Sequence, residues 1–322
     1  SEQINFFHVD SRKVKSGDAF IAYKGVASDG HDYISKIADK ASLIIFESSD
    51  NLESVSTPWI QVKSARSAWA HLMSEAFGRP EKQVPMLAVT GTNGKSSTVW
   101  IIKELAEKMG KRCLTLGTLG AYLGQEHLPT NHTTPDPDAL YQFLRYAADQ
   151  KVDFVAMETS SHAVAMRKLD PILFDAVGFT SFSRDHLDFH ATMEEYFGEK
   201  YKLIEHLSKP NARHVICDQV VSEYDADWSR NADTWFYGRA IDGSSQSRKI
   251  KLEIQNQSLQ GSKIKWNDII VETSMFGEFL LENSTCAMLL LENQLHSPLE
   301  SWPWDKIEPI PGRLESIGVN PG

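Results

Sequence analysis

Eight consecutive residues carry the strongest chemical signal in this chain: Thr90-Gly91-Thr92-Asn93-Gly94-Lys95-Ser96-Ser97. They follow the apolar run Met86–Thr90 and open a helical pattern that runs from Lys95 to about Met109 and stops at Gly110. In that setting the glycines let backbone N–H groups approach phosphate oxygens, and the helix N-terminus adds its partial positive charge. Lys95 would reach the β and γ phosphates of a nucleotide, and the Ser96 hydroxyl would ligate Mg²⁺. The generic phosphate-loop pattern has a glycine five residues before Gly94, where this chain has Val89, so a strict motif scan passes over it. Read only as Gly-Lys after a strand, the stretch is equally a tight Gly-Asn turn between two elements.

Two further polar clusters follow apolar runs. Glu158 ends Phe154–Glu158 and precedes Thr159-Ser160-Ser161-His162, and Ser183-Arg184-Asp185-His186-Leu187-Asp188-Phe189-His190 follows Ala176–Thr180. Open α/β sheets bind ligands at the carboxyl ends of their strands, so a carboxylate there can share Mg²⁺ with a phosphate loop. Taken alone, each cluster is a polar loop in which a single His or Glu is more often structural than a ligand. Lys200, within Tyr196-Phe197-Gly198-Glu199-Lys200-Tyr201-Lys202, reads on spacing as a lysine on a solvated helix face, and Gly117-Thr118-Leu119-Gly120 as a strand-end turn.

The elements that must position these residues alternate in type. Strands are expected at Ala19–Tyr23, Leu43–Phe46, Trp59–Val62, Met86–Thr90, Cys113–Gly117, Phe154–Glu158, Ala176–Thr180 and His214–Cys217. Helices are expected over Tyr33–Ala41, Ala65–Phe77, Lys95–Met109, Asp138–Ala148, Met193–Leu207 and Asn283–Glu292, with a linker around 79–84. Between Ile250 and Thr273 a period-two alternation broken by Gln260-Gly261-Ser262 suggests an antiparallel hairpin. The fold class is therefore α/β: a small N-terminal α/β domain (1–82) and a central domain (83–310) with a mostly parallel sheet and an antiparallel hairpin region.

With 322 residues the chain has room for about two cores. Its 41% hydrophobic content contains no run long enough to cross a bilayer. Lys and Arg number 33 against 43 Asp and Glu, a net charge of −10, which argues against general attraction to nucleic acid or anionic lipid. Anionic ligands must then be held by local charge. Cys113, Cys217 and Cys286 lack the spacing of a disulfide framework or thiolate zinc site, and Ser1-Glu2-Gln3-Ile4-Asn5 lacks signal-peptide character. A cytoplasmic protein without a membrane or nucleic-acid partner is expected.

Six motifs, in order, resemble the Mur ligase family, most closely its MurE type. They are Asp10-Ser11-Arg12 with Gly17-Asp18 and Phe20 behind it, the phosphate loop in its shortened form, Thr133-Thr134-Pro135, Met157-Glu158-Thr159-Ser160-Ser161-His162, the run from Ser183 to Asp188, and the helix from Tyr196 to Lys200. The resemblance spans nearly the whole chain. It implies a UDP-muramoyl-peptide-binding first domain, a P-loop ATPase central domain, and residues 311–322 as the stub of a C-terminal amino-acid-binding domain.

Residue by residue, the resemblance implies that Ser11 and Ser28 contact the UDP group, and that Thr133, Thr134 and Ser160 face the muramoyl peptide. Gly91 to Ser97 would hold ATP, Asn283 would contact adenine, and Arg313 would approach ATP from the domain boundary. Ser96 and Glu158 would hold one Mg²⁺, and His186 and Lys200 a second, with Lys200 as a CO₂-derived carbamate. A neutral, buried amine is what captures CO₂, and the product turns a repulsive ammonium into an oxygen ligand. Lys202 does not replace Lys200, because positions two apart on a helix do not share a face.

The chain departs from the family at Ser181 and Leu280, each where Asn is usual, and at Val26-Ala27-Ser28, a loop usually more polar. Lys168, with Arg167 beside it, stands where an arginine for the substrate's peptide carboxylate is expected. The implied reaction is an ATP-dependent ligation in peptidoglycan precursor synthesis: it adds meso-diaminopimelate or L-lysine, diaminopimelate being favoured, to UDP-N-acetylmuramoyl-L-alanyl-D-glutamate through an acyl phosphate. The family's default is a monomer. Two alternatives stay open: another Mur-type or folylpolyglutamate-synthetase-like ligase, which would not need the Asp10-Ser11-Arg12 domain, and a non-catalytic module that binds UDP-muramoyl peptide and ATP.

Overall fold

Short apolar runs bounded by turn residues become strands, and the amphipathic stretches between them become helices. The computed structural model describes residues 4–25, 28–48, 55–224, 226–228, 233–241, 248–295 and 298–312. Its contacts divide the chain into two units, residues 4–79 with Met166–Pro171 and residues 80–165 with 172–312.

In the first unit β1 (Phe7–His8), β2 (Ala19–Ala22), β3 (Leu43–Phe46) and β4 (Trp59–Gln61) pair in sequence order, all parallel. Phe20, Ala22, Ile44 and Phe46 bury one face of this sheet against Ile34 and Ile37 of the short helix α1 (Ile34–Ile37). The helix expected over Tyr33–Ala41 is reduced to this single turn. The Asp29 carboxylate accepts from the His31 N–H and starts a tighter 3₁₀ turn at Gly30–Tyr33 instead. Helix α2 (Ala65–Ala76) is capped by Ser64, whose Oγ accepts from Ser67 N, while Glu47 Oε1 accepts from Ala65 N at 2.6 Å.

The second unit runs β5 (Met86–Thr90), α3 (Lys95–Lys108), β6 (Cys113–Gly117), β7 (Gly120–Leu123), β8 (Glu126–Leu128), α4 (Pro137–Asp149), β9 (Phe154–Glu158), α5 (Ser161–Ala165), β10 (Phe174–Phe179), α6 (Met193–Glu205), β11 (Ser208–Cys217), α7 (Asp218–Glu223), β12 (Thr234–Gly238), β13 (Lys249–Ser258), β14 (Gly261–Trp266), β15 (Ile269–Thr273) and α8 (Glu278–Leu295). One 11-stranded sheet takes the order β15-β14-β13-β12-β11-β10-β5-β9-β6-β7-β8. The run from β13 to β6 is parallel, and an antiparallel pair extends each edge.

The α/β class with a mostly parallel sheet holds. The hairpin expected between Ile250 and Thr273 is a three-stranded meander whose first strand also pairs in parallel with β12. The helix expected from Asn283 begins earlier, at Glu278, and is buried along most of its length, Leu281 and the run from Cys286 to Leu291 included. A helix apolar on nearly every side lacks the stripe that marks its start. Thr118 and Leu119 form the two-residue turn between β6 and β7, and Gly117 pairs with Gly120. Cys113, Cys217 and Cys286 are all free and buried. Among the described residues no helix is long and apolar enough to cross a membrane.

Register brings the chemistry together. Val89 pairs with Glu158 and Phe179 with Thr90, so β5, β9 and β10 end side by side, and the loops that leave them lie together at the carboxyl ends of these central strands.

Burial also makes the sheet sensitive to acid. His214 on β11 is buried, with Nε2 3.0 Å from Ser208 Oγ, and desolvation pushes its pKa down to about 4. The unfolded chain takes up a proton there near pH 6.5 and the folded chain does not, so stability present above pH 6.5 is lost as pH falls towards 4, by at most about 3 kcal/mol. Urea midpoints at pH 7 and pH 4.5 should differ accordingly. His214→Asn should flatten that difference, and an unchanged pH slope in the variant would contradict the assignment.

Candidate functional site

The eight-residue loop joins β5 to α3, and its two glycines are held at φ 145° (Gly91) and φ 87° (Gly94), where side chains are strained. A Cβ on Gly91 would overlap Thr180 Oγ1, and one on Gly94 would overlap Asn283 Oδ1. The segment after β10 pins the loop. Thr92 N donates to Ser181 O and Asn93 N to Ser181 Oγ, both at 2.9 Å, while Ser183 N donates to Thr92 Oγ1 at 3.0 Å. Ser181 thus fastens the loop, and the first turn of α3 borders a cleft with backbone N–H groups that no intrahelical acceptor can satisfy. Lys95 folds back, with Nζ donating to the carbonyls of Gly91 (2.8 Å) and Thr92 (2.9 Å).

Glu158, at the end of β9, is 1% exposed and fully engaged. Its Oε2 accepts from Ser96 Oγ at 3.0 Å and from Thr118 Oγ1 at 3.2 Å, and its Oε1 accepts from Thr118 N at 2.8 Å. Thr133 Oγ1 lies 3.0 Å from Thr118 Oγ1. Thr134 Oγ1 donates to Glu158 O at 3.0 Å and accepts from Ser160 N at 3.1 Å. The Glu158 carboxylate thus ties together the start of α3 and the β6–β7 turn, while its backbone carbonyl holds Thr134. Ser96 and Glu158 form a hard-oxygen pair of the kind Mg²⁺ takes from a protein when substrate phosphates and water complete its shell. Among the described residues no three His, Cys, Asp or Glu side chains form a metal cage.

Lys200 is not on a solvated face. Its helix α6 packs beside the loop, and the side chain is 1% exposed, with Nζ donating to Gly91 O at 2.9 Å. Burial lowers its pKa well below that of an ordinary lysine, Lys95 nearby lowers it further, and Asp185 partly opposes the shift. Lys202, two positions on, turns outward to pair with Glu199 at 2.7 Å. Tyr196 packs near both Lys200 and His186: its ring is 4.7 Å from Lys200 Nζ and its centroid 5.7 Å from that of His186. Its hydroxyl lies 3.2 Å from Thr92 Oγ1, and burial raises its pKa to about 12. His162 sits edge-on to His186 at 4.9 Å and to His190 at 5.6 Å. His190 is buried and 2.9 Å from Ser161 Oγ through Nε2. Burial lowers the pKa of both His162 and His190.

A cleft of about 350 Å³ opens beside the loop, lined by Asn93, Gly94, Ser97, Thr180, Ser181, Phe279, Leu280, Glu282, Asn283 and Ile310. A second cleft, of about 440 Å³, shares Asn93, Thr180, Ser181, Phe279 and Glu282 and extends to Asp218 and Arg239. In the first unit a separate cleft of about 430 Å³ is lined by Asp10, Ser11, Arg12, Tyr23, Ser28 and Tyr33 among others. There Arg12 donates to both Asp10 oxygens at 2.9 Å and holds that carboxyl down at about 2. Lys168 lies in Met166–Pro171, grouped with the first unit, and Arg167 beside it pairs with Asp170 at 2.7 Å. Arg313, Val26 and Ala27 lie outside the described residues.

The Mur ligase middle-domain model matches residues 89–291, more than half of the chain. The chain belongs to the Mur ligase family. A second model, Mur ligase family, catalytic domain, matches residues 3–77 of this Mur ligase chain. The UDP-N-acetylmuramoyl-L-alanyl-D-glutamate–2,6-diaminopimelate ligase of Geobacter sulfurreducens is 33% identical over 79% of this chain and 51% of its own length. The ligase of the same name from Syntrophomonas wolfei is 29% identical over 98% of this chain and 65% of its own. The chain therefore spans about half to two thirds of the length of these relatives. A solved structure titled as a ligase of that name superposes with a TM-score of 0.72 at 24% identity, covering 89% of this chain and 59% of that one, which shows the shared fold.

Sequence reasoning on this Mur ligase missed Thr118, which lies in a stretch read only as a turn, and did not single out Tyr196 or Thr180. Each acts through a hydroxyl placed by tertiary structure, and spacing carries no signal for that. For Thr118 a cue was available: two glycines flanking a strand end leave room for a carboxylate, and a Cβ on Gly117 would overlap Glu158 Oε1.

Proposed function

We propose that this chain supplies the nucleotide and UDP-muramoyl-peptide sites of an ATP-dependent amide ligase that extends UDP-N-acetylmuramoyl-L-alanyl-D-glutamate with diaminopimelate in peptidoglycan precursor synthesis. The observation that carries the reading is the convergence of Lys95, Ser96, Glu158 and Lys200 on a glycine loop at the carboxyl ends of the central strands. The names of the relatives supply the substrate.

In the reaction a carboxylate oxygen of the peptide attacks the γ-phosphorus, and the bond to ADP breaks. The amine of the incoming amino acid then attacks the acyl carbon, loses a proton, and releases phosphate. Lys95 and the N-terminus of α3 neutralise charge spreading over the transferred group. Ser96 and Glu158 would hold one Mg²⁺ and His186 with Lys200 a second, and metal at these positions supplies charge neutralisation between the two polyanions. Lys200 fits carbamylation because it is buried, close to Lys95 and biased towards the neutral amine. Thr133 and Ser160 face the peptide, with buried Thr134 holding Ser160 in place, the Asn283 cleft takes the adenine, and Ser11 and Ser28 contact the uridine diphosphate. Arg313 and Lys168 are assigned to ATP and to the substrate carboxylate. The working state is a cytoplasmic monomer.

Calorimetry tests this directly. The chain should bind UDP-N-acetylmuramoyl-L-alanyl-D-glutamate and Mg²⁺-ATP, and should ignore folates. Binding of a folate, with none of the UDP-dipeptide, would move the chain to the folylpolyglutamate-synthetase-like reading. Gly117→Ala probes the metal pair separately, since the backbone there tolerates alanine while the new methyl displaces the Glu158 carboxylate. Mg²⁺-nucleotide affinity should fall about tenfold or more, and the thermal midpoint should fall as well, because the displaced carboxylate strains its buried bonds to Ser96 and Thr118. Unchanged affinity would remove Glu158 from the metal site.

A further inference from the structure

Ser97, Trp100 and Glu104 stand at i, i+3 and i+7 on α3 and so share one helical face. Ser97 borders the cleft next to the loop. The other two grip a distant segment. The Glu104 carboxylate, 5% exposed, accepts from Glu308 N at 3.3 Å, and the Trp100 indole Nε1 donates to Glu308 O at 3.3 Å. Both backbone groups of one residue, more than 200 positions away, are thus bound by α3.

The gripping residues are themselves braced. Lys103 Nζ lies 5.0 Å from the Trp100 ring centroid and 3.4 Å from Glu104 Oε1, and Lys108 pairs with Glu104 Oε2. Upstream the segment is tied to the end of β15. Thr273 Oγ1 donates to Trp304 O at 3.0 Å and Ser274 Oγ to Ile307 O at 2.9 Å, while buried Trp304 packs edge-on against Trp266 at 4.8 Å. Two residues after Glu308, Ile310 is buried in the wall of the cleft that also contains Gly94, Ser97 and Asn283.

We propose that Trp100 and Glu104 are positioning residues for the nucleotide: by clamping Glu308 they seat Ile310 and keep the apolar wall of the base cleft formed before ligand arrives. This rests on the nucleotide-binding reading given above. Neither residue borders the cleft. Without the clamp, Ile310 samples positions outside the wall, and apparent affinity falls by the fraction of time the wall is absent. The same helix that presents its N-terminus to phosphate therefore sets the opposite, apolar end of the nucleotide site.

The test is MgADP binding to the 322-residue chain by calorimetry, with hydrogen exchange followed at Glu308. The double variant Trp100→Phe/Glu104→Ala should bind MgADP about tenfold more weakly and exchange the Glu308 amide faster. Glu104→Gln, which keeps an acceptor oxygen, should stay within about twofold of the parent chain. Ile310→Ala should weaken the parent chain by about the same factor as the double variant and add little to it, as coupled positions do. Should the double variant not fold, Trp100→Phe alone carries the test with about a threefold loss. Parent-like affinity in the clamp variants, an unchanged Glu308 exchange rate, or fully multiplicative effects with Ile310→Ala would overturn the proposal. Failure of the parent chain to bind MgADP would instead overturn the nucleotide reading, and the clamp's role with it.

Discussion

Lys95→Ala should reduce ATP-dependent phosphate release by at least about 10²–10³-fold in an enzyme competent for ligation, because a preorganised charge that meets the transferred group is lost. The side chain already sits at the loop, bonded to the carbonyls of Gly91 and Thr92, so a nucleotide has only to draw it outward. The fold should survive. Gly91 and Gly94 keep their conformations through contacts with Ser181, Thr180 and Asn283 that do not involve Lys95. Thermal midpoints should therefore stay close while turnover collapses. Near-normal phosphate release in the variant would sink the mechanism.

Lys200→Ala should be nearly as damaging, by about 10²-fold or more, and should respond to chemistry that Lys95→Ala does not. If the working group is a carbamate, short carboxylates such as formate or acetate should restore part of the activity, and ¹³C-bicarbonate should label the parent protein but not the variant. The pH dependence has a fixed sign. Burial and the nearby Lys95 lower the Lys200 pKa, so the neutral amine persists to lower pH than in a free lysine and is lost as pH falls through the folded-state value. Carbamate signal and activity should fall together on acidification. Loss of activity with neither rescue nor label would reassign Lys200 to a direct role as an amine.

Much of the central sheet was legible because a buried parallel strand is a short apolar run with turn residues at its ends. Cys113–Gly117, Phe154–Glu158 and Leu43–Phe46 occur as read. Thr234–Gly238 was missed although it carries that signal, and Phe7–His8 is only two residues long. Gly120–Leu123 and Glu126–Leu128, the last two strands on one side of the sheet, lack the signal: both are short and partly exposed, and they follow the Thr118-Leu119 turn. Helix boundaries slipped where capping competed with pattern, as at Asp29, or where a helix was apolar on all sides, as at Glu278–Leu295.

Local order along the chain determined the phosphate loop, the strand before it and the helix after it, because each rests on interactions among near neighbours, and it placed a carboxylate at the end of a later strand. Tertiary structure decided what those residues meet. It buried Lys200 against Gly91, set Thr118 on Glu158, and turned Ser181 from a departure into the loop's fastener. It also brought Glu308 to Trp100 and Glu104. None of these pairings has a sequence period, since each depends on the register of strands and the packing of a helix far away in the chain. A lysine that reads as solvated becomes a buried, readily neutralised amine only when its helix packs it against the loop beside a second cation.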